Sequence, residues 1–199
     1  MNLPNRLTMS RLLFALAIFA ILEIILRIES AANPGSTAVL SIAALVLFII
    51  AAVTDAIDGY VARKQNLATA FGRMADPLMD KIIISGILVF LTRIPSTAPA
   101  VPAWMVVLVL VREFLMTGMR GFIEGKGQGF GAQILGKAKM TIQCVMVCYA
   151  FVHMGFLTTQ AWSELTLYVL MWLTMLSTLG SGLSYVPTAL TVMRDAKDI

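Results

Sequence analysis

Six apolar runs limit what this chain can fold into: Arg11–Ile28, Val39–Ala56, Ile82–Thr92, Ala103–Met119, Thr141–Phe156 and Leu165–Pro187. Of its 199 residues, 59% are apolar and 13% charged, about half the charged share of a soluble domain. In hydrocarbon every backbone polar group must find its partner within the segment, and a helix needs roughly 20 residues to cross. Several runs reach that length only by taking in polar neighbours, so some helices are expected to extend into water or line a cavity. The expected fold class is all-α: a polytopic membrane protein with six transmembrane helices and a short N-terminal interfacial helix. Residues 1–199 leave room for one membrane domain and no separate soluble one. The first run has the basic flank of a secretory leader, Arg6 and Arg11, but it is long and followed only by the weak cleavage match Ala31-Ala32-Asn33. It is read as a retained membrane helix.

Charge then sets the expected orientation. With six crossings, every one of the 15 lysines and arginines except Arg27 and Arg93 falls on the side of the two termini. Such a bias marks the cytoplasmic side, so both termini are expected there. The net charge of +4 also suits anionic lipid or a phosphorylated substrate. Nucleic acid is not an expected partner, because the cations are spread along helix ends with no soluble module around them.

On that same side lie four of the 11 acidic residues, in the order Asp55-x2-Asp58-Gly59-x2-Ala62-Arg63-x8-Gly72-x3-Asp76-x3-Asp80. A carboxylate within a membrane helix costs about 2.5–3.5 kcal/mol at mid-helix unless water, a partner or a cation attends it. Spacings of three (Asp55, Asp58) and four (Asp76, Asp80) place each pair on one helical face. Two such pairs brought together by a turn repel unless cations sit between them. Oxygen-only ligands suit hard divalent ions, Mg2+ or Mn2+. Gly59 and Ala62 lack bulk and allow a ligand or helix to approach. Arg63 offers a planar fork suited to diphosphate oxygens. Asp76-Pro77 predicts that the third helix begins near Asp76 or kinks there. Lys81, beside Asp80 in sequence but on another face, reads as an anchor for lipid phosphate.

This spacing resembles the signature of the CDP-alcohol phosphotransferase family, with every fixed position present. The resemblance implies two divalent metal ions, Mg2+ or Mn2+, bridging Asp55, Asp58, Asp76 and Asp80 to the diphosphate of a CDP-linked lipid. It also implies that Asp80 takes the proton from an acceptor hydroxyl, which displaces CMP. Gly59, Arg63 and Thr69 are the expected contacts to the CDP-lipid. At the N-terminus, Asn2-Leu-Pro4-Asn5-Arg6-Leu-Thr8-x2-Arg11 reads as a helix start capped by Asn5 or Thr8. The same string is similar to the family branch that uses glycerol 3-phosphate, which adds Asn5, Thr8 and Arg11 to the candidate substrate pocket.

Two further strings resemble that branch: Arg112-Glu113-Phe114-x2-Thr117-Gly118-x-Arg120 and Gly136-Lys137-x-Lys139-x-Thr141. Arg112 and Arg120, eight apart, lie close to one helical face. As a bland alternative, Arg112 pairs with Glu113 and Arg120 reaches to the interface. With Lys137 and Lys139 they make a candidate cradle for the acceptor phosphate, a dianion that needs several cations once out of water. The implied reaction joins CDP-diacylglycerol and glycerol 3-phosphate in a bacterial cytoplasmic membrane, with the active site on the cytoplasmic side and the enzyme a homodimer. The same chemistry with inositol phosphate or serine is the nearest alternative. A divalent-cation transporter is the alternative of another class, disfavoured because the acidic residues gather at one end only.

Several polar residues read as structural. Cys144 and Cys148 sit on adjacent turns, which favours packing over a disulfide. His153, the sole histidine, falls far from the aspartates and reads as packing or hydrogen bonding. The small residues around Gly180-Ser181-Gly182 read as a close helix contact.

Overall fold

Apolar runs punctuated by proline and glycine become helices wherever the punctuation permits. A computed structural model describes residues 3–31, 37–65, 70–125 and 134–183. It consists of α1 (Leu3–Ser30), α2 (Thr37–Gln65), α3 (Ala70–Leu91), α4 (Ala103–Gly125), α5 (Ile134–Val152) and α6 (Ala161–Leu183). A single π-helical turn, His153–Leu157, extends α5. No strand occurs among the described residues. α1 stops before Asn33-Pro34-Gly35, and α4 starts directly after Pro102, whose carbonyl accepts from Met105 N at 3.0 Å.

The N-terminal boundary differs from expectation, and of the two alternatives at Asp76-Pro77, a helix start or a kink, the structure excludes the start. The N-terminal segment is no separate interfacial helix but the first turns of α1. Pro4 sits in the first turn, where its missing N–H is no loss, and nothing between Asn5 and Ile28 breaks the helix. α3 begins at Ala70, six residues before Asp76, and runs through Pro77. A proline at that depth offers no N–H to the carbonyl four residues back, so the helix there runs with one ladder bond fewer.

The helices bury one stripe each. Ile18, Leu22 and Ile25 of α1, spaced by four and three, are fully buried, as are Ile87 and Leu91 of α3, Met146 of α5, and Leu167 and Met171 of α6. Phe48 of α2 meets Phe151 of α5 with ring centroids 6.3 Å apart, and Phe19 stacks on Phe90 at 5.9 Å. α1 packs on α2 and α3, and α6 packs on α4 and α5. The opposite faces are equally apolar: Leu13, Leu16, Val39, Val46, Val107 and Leu165 are all exposed. A helix apolar on every side requires apolar surroundings. By length and composition three helical stretches among the described residues can cross a membrane: Thr37–Thr54, Ala138–Leu157 and Ala161–Gly182. Lys81–Leu91 of α3 is a shorter apolar stretch.

Polar groups are confined largely to the two ends of the bundle. One end is held by the turn at 92–101, the π-helical turn and the start of α6. His153 Nε2 lies 3.0 Å from Ser96 O and Nδ1 lies 2.8 Å from Ser163 Oγ. A carbonyl only accepts, so Nε2 donates, and in the neutral ring Nδ1 accepts from the serine. Tyr149 OH stands 2.9 Å from the same Ser163 Oγ. The Glu29 carboxylate accepts from Ser96 N at 2.9 Å and Ser96 Oγ at 3.0 Å. On the far side of the π-helical turn, Thr37 Oγ1 donates to Met154 O at 3.4 Å. A Cβ on Gly155 would stand 3.3 Å from Ser41 Cβ, so glycine lets α2 approach closely. His153 is thus a tie between α5 and α6 through buried hydrogen bonds.

Replacing His153 by leucine keeps the volume and strands the Ser96 carbonyl. Unfolding in detergent should report a loss of about 1–3 kcal/mol. An unchanged transition would show that the histidine only fills space.

Candidate active site

The second end gathers the C-terminal turns of α2 and α4, the N-terminal turns of α3 and α5, and the last turns of α6. Asp55, Asp58, Gly59 and Arg63 lie on the helical backbone of α2, and Asp76 and Asp80 on that of α3. Unbroken helix through both stretches keeps the three- and four-residue spacings at helical register. The side chains of these six lie outside the described residues, with those of Asn5 and Thr8 on α1, Arg120 on α4 and Lys137 on α5. Thr69 lies outside the described residues altogether. Arg11, one helical turn beyond Thr8, is buried.

Beside the aspartate-bearing helices, cations from α4 and α5 meet at one carboxylate, and a third from α3 stands one hydroxyl away. Glu113 of α4 contacts Lys139 Nζ of α5 through Oε1, and the same oxygen accepts from Arg112 Nη1 at 3.4 Å. The side chains of Arg112, Glu113 and Lys139 are only 12%, 9% and 10% exposed. Charges so far from water require partners. The backbone carbonyl of Glu113 accepts from Thr117 Oγ1 at 2.8 Å, and Lys81 Nζ of α3 reaches that hydroxyl. Arg112 Nη2 donates to Ser181 Oγ of α6 at 2.7 Å. In the described part of this end, two cations thus contact one acid and a third is linked to its backbone through Thr117. Among the described residues cations outnumber acids here, in a place largely withdrawn from water, which suits a phosphate dianion.

The bland pairing of Arg112 with Glu113 is present, yet it is the lesser contact of that carboxylate. The structure joins Arg112 and Lys139 of the candidate cradle through Glu113. Three participants escaped the sequence reading. Lys81 turns to Thr117 instead of standing apart, because α3 and α4 pack together and bring the two residues into reach. Ser181 and Gly182 of α6 touch Arg112 across 69 positions of chain. Nothing local signals either contact. For Lys139 and Glu113 the hint was a lone acid embedded among the cations of two basic strings.

The family model described as CDP-alcohol phosphatidyltransferase matches residues 1–180. A Bacillus subtilis (strain 168) protein is 37% identical over 185 residues, covering 88% of this chain and 91% of its own length. A Rickettsia bellii protein is 33% identical over 185 residues, with 92% and 93% covered. A Treponema pallidum protein is 35% identical over 142 residues, with 70% and 63% covered. All three carry the name CDP-diacylglycerol–glycerol-3-phosphate 3-phosphatidyltransferase.

Removing Glu113 alone leaves Lys139 buried beside Arg112 with no carboxylate between them. Glu113→Ala should cost about 3–5 kcal/mol of stability in detergent unfolding, and adding Lys139→Met should recover part of it. Losses that simply add would show that the two side chains are not energetically coupled.

Proposed function

The chain belongs to the CDP-alcohol phosphatidyltransferase family, and from that premise we propose that it transfers the phosphatidyl group of CDP-diacylglycerol to sn-glycerol 3-phosphate. The products are phosphatidylglycerophosphate and CMP. The observation that carries the choice of a phosphorylated acceptor is the meeting of Arg112 and Lys139 at Glu113, with Lys81 held on the neighbouring Thr117 hydroxyl, beside the aspartate-bearing helices. These cations suit an acceptor that carries a phosphate dianion better than a net-neutral one such as serine. The names of the relatives agree with the reading.

Asp55, Asp58, Asp76 and Asp80 form an all-oxygen donor set on two consecutive helices, which fits two Mg2+ or Mn2+ ions. When bound, such ions offset diphosphate charge and stabilise the departing phosphate. The remaining work falls to the chain itself. Arg63 clamps the diphosphate with its planar fork. Gly59 leaves space for the nucleotide, with Thr69, Asn5 and Thr8 as further contacts. Arg112, Arg120, Lys137 and Lys139 hold the acceptor phosphate and so aim its 1-hydroxyl at the lipid-side phosphorus. The hydroxyl oxygen forms the new bond to phosphorus, the bond to the CMP oxygen breaks, and the hydroxyl proton passes to the Asp80 carboxylate. An aspartate is a weak base, so it serves here only in direct contact with the hydroxyl as charge develops.

The protein is proposed to cross a bacterial cytoplasmic membrane six times, with both termini and the active site on the cytoplasmic side. The distribution of lysine and arginine supports this orientation. Assembly as a homodimer follows from the family resemblance.

The test uses purified protein in detergent with CDP-diacylglycerol, Mg2+ and radiolabelled glycerol 3-phosphate, reading lipid-soluble label and CMP together. Metal-dependent appearance of both is expected, and Asp80→Asn should abolish turnover while the protein still elutes as folded. CMP release only with another alcohol would move the acceptor. Cation flux in vesicles without CMP would replace the enzyme with a transporter. Full activity in Asp80→Asn would remove the proton-acceptor role.

A further inference from the structure

Ser181 and Gly182, near the end of α6, hold no charge and carry no part of the aspartate signature. We propose that they are positioning residues for Arg112, and that through it they set the affinity for the phosphate of the acceptor. The inference rests on the reading of Arg112 as part of the acceptor cradle.

Three observations carry it. First, Arg112 Nη2 donates to Ser181 Oγ at 2.7 Å, the shorter of its two hydrogen bonds; the one to Glu113 measures 3.4 Å. Second, the Ser181 hydroxyl lies 3.0 Å from Thr178 O and donates to it. Its proton is therefore committed along α6, which turns its lone pairs toward the arginine. Third, a Cβ on Gly182 would stand 3.1 Å from Arg112 Nε and 3.3 Å from Cγ. The arginine stem lies close against a bare Cα, and a Cβ there would require it to shift by a few tenths of an ångström.

A guanidinium carries five N–H donors in a fixed plane. Ser181 and Glu113 engage two of them, and Nε is buried with no hydrogen-bond partner among the described residues. Anchored at one nitrogen and braced along its stem, the group offers its remaining donors in one orientation. A long side chain fixed before the ligand arrives loses less freedom on binding. The serine is neutral, so its effect on an anionic substrate runs through geometry, with no contribution from charge.

The test is steady-state kinetics of the purified full-length enzyme with CDP-diacylglycerol in mixed micelles, varying each substrate in turn. Ser181→Ala should raise KM for glycerol 3-phosphate about tenfold, the loss of one charge-assisted hydrogen bond, with KM for CDP-diacylglycerol within about twofold. Ser181→Thr, which keeps the hydroxyl, should restore most of the affinity. Gly182→Ala should reproduce the defect by displacing the stem without removing a hydrogen bond, and it serves if Ser181→Ala does not fold. In an Arg112→Gln background, Ser181→Ala should add nothing further.

An unchanged KM for glycerol 3-phosphate in both Ser181→Ala and Gly182→Ala, with Arg112→Gln raising it, would overturn the positioning role and leave the cradle standing. A defect in Ser181→Ala that persists in full without Arg112, or that falls equally on both substrates, would also overturn it. No effect of Arg112→Gln on the acceptor would remove the cradle reading itself.

Discussion

The cost of charge away from water governs this structure more than any other single constraint. A chain with 13% charged residues and apolar surface on both faces of its helices has few places to put a carboxylate or an ammonium. The buried contact between Glu113 and Lys139 shows how the cost is met: each charge is tolerated because the other is there. The same carboxylate steadies Arg112, and its backbone carbonyl holds the hydroxyl that receives Lys81. α3, α4 and α5 are thereby joined at one end through Glu113 and Thr117 of α4, and Arg112 brings in α6. The aspartates of α2 and α3 stand on helices that lead into this end.

The opposite end solves a different problem. There the polar groups are mostly neutral, and they satisfy one another: histidine, tyrosine and two serines close the space between the turn at 92–101, the π-helical turn and α6. The π-helical turn brings Gly155 and the Met154 carbonyl against the start of α2. One end is thus fixed mostly through hydrogen bonds of uncharged groups together with the Glu29 carboxylate, the other through buried charges, with the apolar stripes of all six helices packed between them.

Much of this was legible in the sequence because it is periodic or punctuated. Helix number and approximate bounds follow from apolar runs broken by proline and glycine, and the aspartate pairs announce themselves by spacing. The two boundaries have separate causes: no breaker separates the N-terminal turns from the rest of α1, and at Pro77 the surrounding residues favour helix strongly enough to carry the backbone through the proline. What stayed hidden is tertiary. Ser181 looked like one small residue in a packing stripe, and nothing in its own helix points to an arginine 69 positions away. Lys81 reads from its own helix as an anchor for lipid phosphate, because its partner Thr117 belongs to the next helix. Glu113 read as a local neighbour of Arg112, when its nearer partner lies on α5.

The central claim is that the two aspartate pairs of α2 and α3 hold two divalent ions at the same end as the cation cluster. Electron paramagnetic resonance of Mn2+ titrated into the purified protein with CDP-diacylglycerol present tests it most directly, by counting bound ions per chain. The account predicts saturation close to two per chain, falling when Asp58 and Asp76 are both replaced by asparagine. Absence of saturable binding, or saturation unaffected by those replacements, would contradict it.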